Sequence, residues 1–193
     1  MNLSEVLRLV TAGLDQLQIR YMIVGSFASS AYGSIRTTQD ADLIVDLPLE
    51  KAQGLVEKFR NEFYVDLAQV EQAVKGQHSF NIIHLGSFFK VDFFILADKP
   101  HMREEFSRRI VSRLDASGEA SVWLATAEDT LLSKLHWYRS GGEVSELQWR
   151  DAVGILKIQS GRLDMTYLER GARELGVFDL LTRALGKAAL PQK

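Results

Sequence analysis

The sequence contains no cysteine, which excludes disulfides, thiolate zinc sites and cysteine nucleophiles and suits a reducing compartment. Long hydrophobic runs are missing too: no apolar stretch approaches the roughly 20 residues of a membrane span. The opening "MNLSEVLRLVTAGLDQL" carries charges throughout and lacks the basic head and apolar run of a signal peptide, so a cytoplasmic protein with no membrane partner is expected. Neither sign of charge dominates. A formal net charge of -2 and a pI near 6.1 give no global attraction to nucleic acid or to an anionic membrane, so any nucleic-acid role must be local. Repeats, heptads and low-complexity tracts are absent as well. What remains is a 193-residue chain, 46% hydrophobic and 25% charged, large enough to bury a core in one domain or two closely packed ones.

Apolar spacing supplies the elements. Val6, Leu7, Val10, Leu14 and Leu17 recur at three- and four-residue intervals behind Ser4, predicting an amphipathic helix capped by that serine. "YMIV" reads as a buried strand and "SFASSAY" as a helix starting beyond Gly25, since it is poor in β-branched residues. "DLIVDL" is a second strand, ended by Pro48, and "LEKAQGLVEKFRNEF" a helix after it. "HSFNIIHL" and "FFKVDFFIL" flank Gly86-Ser87 as an antiparallel hairpin. A helix over "HMREEFSRRI" precedes two short extended pieces around Asp115 to Glu119. Thr126, three residues before Asp129, opens the next helix with a variant capping box. Three further helical segments follow the "GGEVS" linker. The expected fold is α+β: a small mixed sheet flanked by helices over 1–125 and a helical subdomain over 126–193.

The chemistry concentrates between Ile23 and Asp46. Side chains two apart on a strand share a face, about 7 Å apart along the backbone, so Asp40 and Asp42 can converge on one site. Paired carboxylates suit a hard divalent cation such as Mg²⁺, which takes oxygen ligands and fills its shell with water and substrate phosphate. Asp92, in the apolar run "KVDFFIL", is a third carboxylate whose charge needs a partner there. Gly25 permits close backbone approach, and Ser26 stands where a helix N-terminus attracts phosphate. Together these point to phosphoryl or nucleotidyl transfer.

Gly25-Ser26, then thirteen residues, then Asp40-Ala41-Asp42, with Asp92 on a later strand, resembles the signature of the DNA polymerase beta type nucleotidyltransferase superfamily. The resemblance spans about the first hundred residues, and within the superfamily the chain is most similar to bacterial stand-alone proteins such as the abortive-infection nucleotidyltransferase toxins. It implies a nucleoside triphosphate substrate, two Mg²⁺ ions (or Mn²⁺) on Asp40, Asp42 and Asp92, and an antitoxin partner. It also carries nucleotide-binding roles to Lys134 in "EDTLLSK" and Asp151 in "WRDAVGIL". Arg36 and Thr38, just before the aspartates, are further candidates for phosphate or acceptor contact.

Plainer readings stand beside these. Lys134 suits a snorkelling surface lysine, and Asp151 an ion pair with Lys134 or an arginine. Asp46 suits a solvated strand end. Trp137, Tyr138 and Trp149 suit helix packing more than base stacking. The four histidines lack metal-ligand spacing. The leading expectation is a Mg²⁺-dependent enzyme that moves a nucleoside monophosphate to a hydroxyl of RNA, protein or a small molecule. The alternatives are a non-catalytic nucleotide-binding or toxin-antitoxin interaction module, and a helical end that binds a partner protein through Trp137 and Trp149.

Overall fold

The structure, a computed structural model, describes residues 1–33, 38, 40–114 and 120–189. The chain divides into two compact units, one formed by Met1–Ser26 and Thr37–Leu124, the other by Phe27–Arg36 and Ala125–Lys193.

In the first unit the strands are β1 (Arg20–Val24), β2 (Asp40–Asp46), β3 (Phe63–Tyr64), β4 (Ser79–His84), β5 (Lys90–Ile95), β6 (Ile110–Arg113) and β7 (Ser121–Leu124). They form one mixed sheet in the order β3-β4-β5-β2-β1-β7-β6. β2 runs antiparallel to β1 and parallel to β5, and β4 runs antiparallel to β5. One face is apolar: Tyr21, Ile23, Leu43, Val45, Phe80, Ile82, Val91 and Phe93 are all buried. Helices α1 (Leu3–Gln16), α3 (Ala52–Phe59) and α4 (Leu67–Gly76) carry the matching apolar residues Val6, Leu7, Val10, Leu14, Leu55 and Val70, also buried. The other face is buried at Met22 and Ile44 in the middle of β1 and β2 and carries polar groups towards the end where β2 and β5 begin. Close approach of α1 to α3 uses Gly13, where an added Cβ would meet the Phe59 ring at 2.6 Å.

The expected strands, the hairpin and the helix α5 (Pro100–Arg108) are present. Three details differ. The cap of α1 is Asn2 rather than Ser4: its side chain accepts from the Glu5 N–H at 3.0 Å while Glu5 reaches back to the Asn2 N–H, a complete capping box. The expected helix after Pro48 is a 3-10 turn over Leu49–Lys51 leading into α3, which stops at Phe59 so that Phe63–Tyr64 can join the sheet. The expected extended pieces flank residues 115–119, which lie outside the described residues, and are the hairpin arms β6 and β7.

The second unit holds α6 (Ala127–Ser140), α7 (Glu146–Ile158), α8 (Met165–Glu174) and α9 (Phe178–Ala189), with most of α2 (Gly25–Tyr32). Leu131, Leu135, Ile155, Leu168, Leu180 and Leu181 form its core, and Tyr32 packs against it. The capping box read at α6 is present in altered form. Thr126 accepts from the Asp129 N–H at 3.2 Å, and the Asp129 carboxylate takes the Thr126 hydroxyl at 2.6 Å. Tyr138 and Trp149 pack with ring centroids 5.2 Å apart, as expected of helix-packing aromatics. Trp137, at 57% exposure, does not pack: it follows the buried stripe of α6 on the helix's other side.

Candidate active site

The sheet register brings the three acidic residues together. Val24, Asp42, Asp92 and Asn81 are direct neighbours across β1, β2, β5 and β4, and Asp40, Lys90, Ile83 and Tyr64 form the next row out. Directly paired residues share a face, and alternate residues of one strand do as well. Asp40, Asp42 and Asp92 therefore lie on the face opposite α1, α3 and α4, at the end of the sheet where β1 finishes and β2 and β5 begin.

Gly25 sits at that end. It has φ +65°, and an added Cβ would stand 2.0 Å from Asp42 Oδ2 and 2.8 Å from its carboxyl carbon. The backbone conformation and the space therefore both require glycine, and the Asp42 carboxylate lies against the turn. Ser26 follows in the first turn of α2, where helix N–H groups and dipole favour an anion. Thr38 donates its hydroxyl to Asp40 Oδ1 at 2.8 Å and to the Asp40 carbonyl at 3.1 Å, so its visible task is to hold the first aspartate. Arg36 lies outside the described residues.

Lys90 was not among the candidates read from sequence. Its Nζ lies 2.8 Å from Asp92 Oδ2, with side-chain exposures of 44% and 18%. The hydrogen bond to Asp92 raises the ammonium above the usual lysine value; burial acts the other way, and the charges of Asp92, Asp40 and Asp42 reinforce the rise. The signal was legible: Lys90 and Asp92 stand two apart on one strand and so share a face. Here is the partner that the charge of Asp92 required.

All the ligands on offer are carboxylate oxygens, the donor type a hard divalent ion takes. The Gly25 turn leaves its space to the Asp42 carboxylate. Among the described residues, no group of three or more acidic or histidine side chains is already gathered as a metal-binding set. Lys90 instead draws Asp92. The donor chemistry fits Mg²⁺, and Asp40 and Asp42 are the residues that would hold it.

In the second unit, Lys134 Nζ meets Asp151 Oδ2 at 3.1 Å with both side chains 5% exposed. Ser29 Oγ is 3.3 Å from the same oxygen. This is a buried, hydrogen-bonded ion pair, so neither residue lies on a solvated helix face. Asp46 pairs with Arg20. Among the histidines, His84 is buried, with Nδ1 2.8 Å from the Ser87 hydroxyl in the β4–β5 turn. A groove of about 480 Å³ is lined by residues of α4 and β4, including Gln69, Gln72, His78, Ser79 and Asn81. No described helix is long and apolar enough to cross a membrane.

No family model and no curated protein matches the sequence. Among solved structures, an antigenic nucleotidyltransferase-like protein from Paracoccidioides brasiliensis is similar over 99% of this chain and 94% of its own, with TM-score 0.58 and 20% identity. The antibiotic-resistance factor ANT(2'')-Ia is similar over 96% of this chain and 93% of its own, with TM-score 0.50 and 18% identity. At such identities the likeness establishes the fold: the chain has the mixed α/β architecture of nucleotidyltransferase-like proteins.

Proposed function

We propose that the protein is a Mg²⁺-dependent nucleotidyltransferase, moving a nucleoside monophosphate from a nucleoside triphosphate to a hydroxyl-bearing acceptor. The observation that carries this reading is the contact between Gly25 and Asp42. A positive-φ glycine packed against a carboxylate, with a second and a third carboxylate on the same sheet face, supports a site that receives phosphate on the backbone and metal on the acids. Asp40 and Asp42 would hold Mg²⁺ (or Mn²⁺), with Asp92 completing the set. Bound there, the ion supplies charge neutralisation at the phosphates and a lowered pKa for the attacking hydroxyl.

In this reading the Gly25-Ser26 turn orients the triphosphate tail, and Thr38 fixes Asp40. Asp92 accepts the proton of the acceptor hydroxyl. The acceptor oxygen forms a bond to the α-phosphorus, the bond from that phosphorus to the β-phosphate oxygen breaks, and pyrophosphate leaves. Lys90 stays beside the phosphates as a point charge once Asp92 has turned to the acceptor. Lys134 and Asp151 enter as a pair, the carboxylate fixing the ammonium that contributes to nucleotide binding, and Arg36 keeps its expected contact role. RNA, protein and small molecules all remain acceptors under this proposal, and an antitoxin-like partner remains compatible with it.

The test uses purified protein with the four α-³²P-labelled nucleotides, Mg²⁺ or Mn²⁺, and cell extract. Transfer of label with release of pyrophosphate, abolished in a folded Asp42→Asn variant, is the expected result. Absence of transfer with every nucleotide overturns the enzymatic reading. One observation favours a second reading: the ion pair between Lys90 and Asp92 occupies the proposed base, as in a module that binds nucleotide without turning it over. Nucleotide binding without pyrophosphate release in the same assay would select it.

A further inference from the structure

The β4–β5 hairpin places an aromatic side chain where hairpins favour glycine. The turn is closed by the Phe88 N–H on the His84 carbonyl at 2.8 Å and the His84 N–H on the Phe89 carbonyl at 2.9 Å, and Phe88 has φ +58°. A left-handed residue just before the returning strand is ordinarily Gly or Asn, because a Cβ strains that conformation. Ser87 locks the turn further through its N–H and hydroxyl on His84 Nδ1, at 3.1 and 2.8 Å. The strained geometry is therefore held in place by neighbouring bonds.

Burial does not offset that strain. Phe88 is 80% exposed, the highest value for a large apolar side chain among the described residues. Leu85 and Tyr64 nearby are 53% and 57% exposed. The strained backbone gains no burial of the ring in return, and strained positions of this kind cluster at functional sites.

Its position matters as much as its exposure. Ile83 pairs with Lys90, and Lys90 with Asp40, so the hairpin tip stands at the carboxylate end of the sheet. Phe88 is two residues before Lys90 and four before Asp92. Tyr64 closes the same row, three strands from Asp40, or about 14 Å at the ordinary strand spacing. The charged groups at this end suit phosphate and metal and offer nothing to a planar ring; Phe88 and Tyr64 do.

We infer that Phe88 is a stacking platform for a nucleobase, a binding residue that favours a base-bearing ligand over a base-free one. This rests on the nucleotidyl-transfer reading and extends it to the substrate's ring. The base is carried either by the incoming nucleoside triphosphate or by a nucleic-acid acceptor; a π-face serves both, since stacking tolerates any base.

The test compares the parent protein, Phe88→Gly and Phe88→Trp by thermal melting and isothermal titration. The probes are each of the four nucleoside triphosphates with Mg²⁺, ribose triphosphate lacking a base, and single-stranded five-nucleotide RNAs of A or of U. Phe88→Gly is expected to melt at the same temperature or higher, because the turn loses its strain. It should bind the base-bearing probe between about fivefold and a hundredfold more weakly, the range of base-aromatic stacking, while base-free ribose triphosphate binds as before. Phe88→Trp should retain affinity. Loss confined to the triphosphates assigns the base to the donor, and loss confined to the RNAs assigns it to the acceptor. Unchanged binding of every probe by Phe88→Gly overturns the platform while leaving nucleotidyl transfer intact, and so does a lowered melting temperature with weaker binding of all probes alike, which marks the ring as structural. A parent protein that binds none of the probes overturns both readings.

Discussion

At Gly25 a single missing side chain serves two needs, a left-handed backbone and room for the carboxylate of Asp42. Gly25→Ala therefore has two separable effects. The backbone strain alone costs about 1–2 kcal/mol, a modest fall in stability. The steric effect is larger for function, because a Cβ 2.0 Å from Asp42 Oδ2 must displace that carboxylate. Misplacing a reacting group by an ångström costs on the order of a hundredfold in rate. Gly25→Ala is expected to remain folded by circular dichroism while losing at least that factor in label transfer; a variant with near-parent transfer would show that Asp42 need not stay where it is. The residue scale is also where the sequence was most legible. The two-residue spacing placed Asp40 and Asp42 on one face with no knowledge of the fold, and an acid inside an apolar run demanded a partner for Asp92. Lys90, as that partner, needed only the same alternation. The pairing of Asp42 with Asp92 did not follow, because it depends on which strands lie side by side.

Elements differ in how loudly their residues announce them. β2 and β5 are runs of Leu, Ile, Val and Phe, buried at alternate positions in β5 and continuously over Leu43–Val45 in β2, and they were read from sequence. α4 buries only Val70 and Ala73, too few to stand out as a period, and β3 is two residues long; both owe their existence to the sheet they border. Caps act at this scale. The Asn2 box on α1 was missed because Ser4, a good capping residue, stood two positions further in. The Thr126 cap on α6 was read correctly, but the reciprocal arm of the box differs: the Asp129 carboxylate takes the cap hydroxyl rather than the cap N–H, and Asp129 is 3% exposed and also receives the Tyr167 hydroxyl. Thr126→Ala removes the bond to the Asp129 N–H and one donor to its carboxylate, a loss of about 1–2 kcal/mol. Thermal unfolding is expected several degrees lower, with Thr126→Ser restoring most of the difference. Equal melting temperatures for all three proteins would show that Tyr167 and the remaining partners of Asp129 suffice.

Across the whole molecule, each unit carries a tyrosine whose ionisation is suppressed, the buried Tyr21 and the half-buried Tyr32. Burial, aided by the charge of Asp15, pushes the Tyr21 phenol up to about 12. Burial, aided by Glu128 and Asp129, does the same for Tyr32, whose hydroxyl also donates to the Ala125 carbonyl at 2.7 Å. In the unfolded chain both phenols titrate near 10. A group with a raised folded pKa contributes its full stability below the unfolded value and loses it as pH rises through the folded one. Stability should therefore fall between about pH 10 and 12 in both units at once, with the unfolded chain releasing protons that the folded chain retains. General charge repulsion also grows in this range as lysines neutralise, but it acts between exposed charges and is screened by salt, whereas a desolvated phenol is screened much less. Urea unfolding at fixed pH steps in 0.1 M and 1 M salt separates the two. The Tyr21→Phe, Tyr32→Phe double variant is expected to lose less stability over this window at either salt concentration, although it begins lower at neutral pH for want of the Tyr32 bond. A double variant that declines as steeply as the parent in 1 M salt would assign the alkaline loss to other groups.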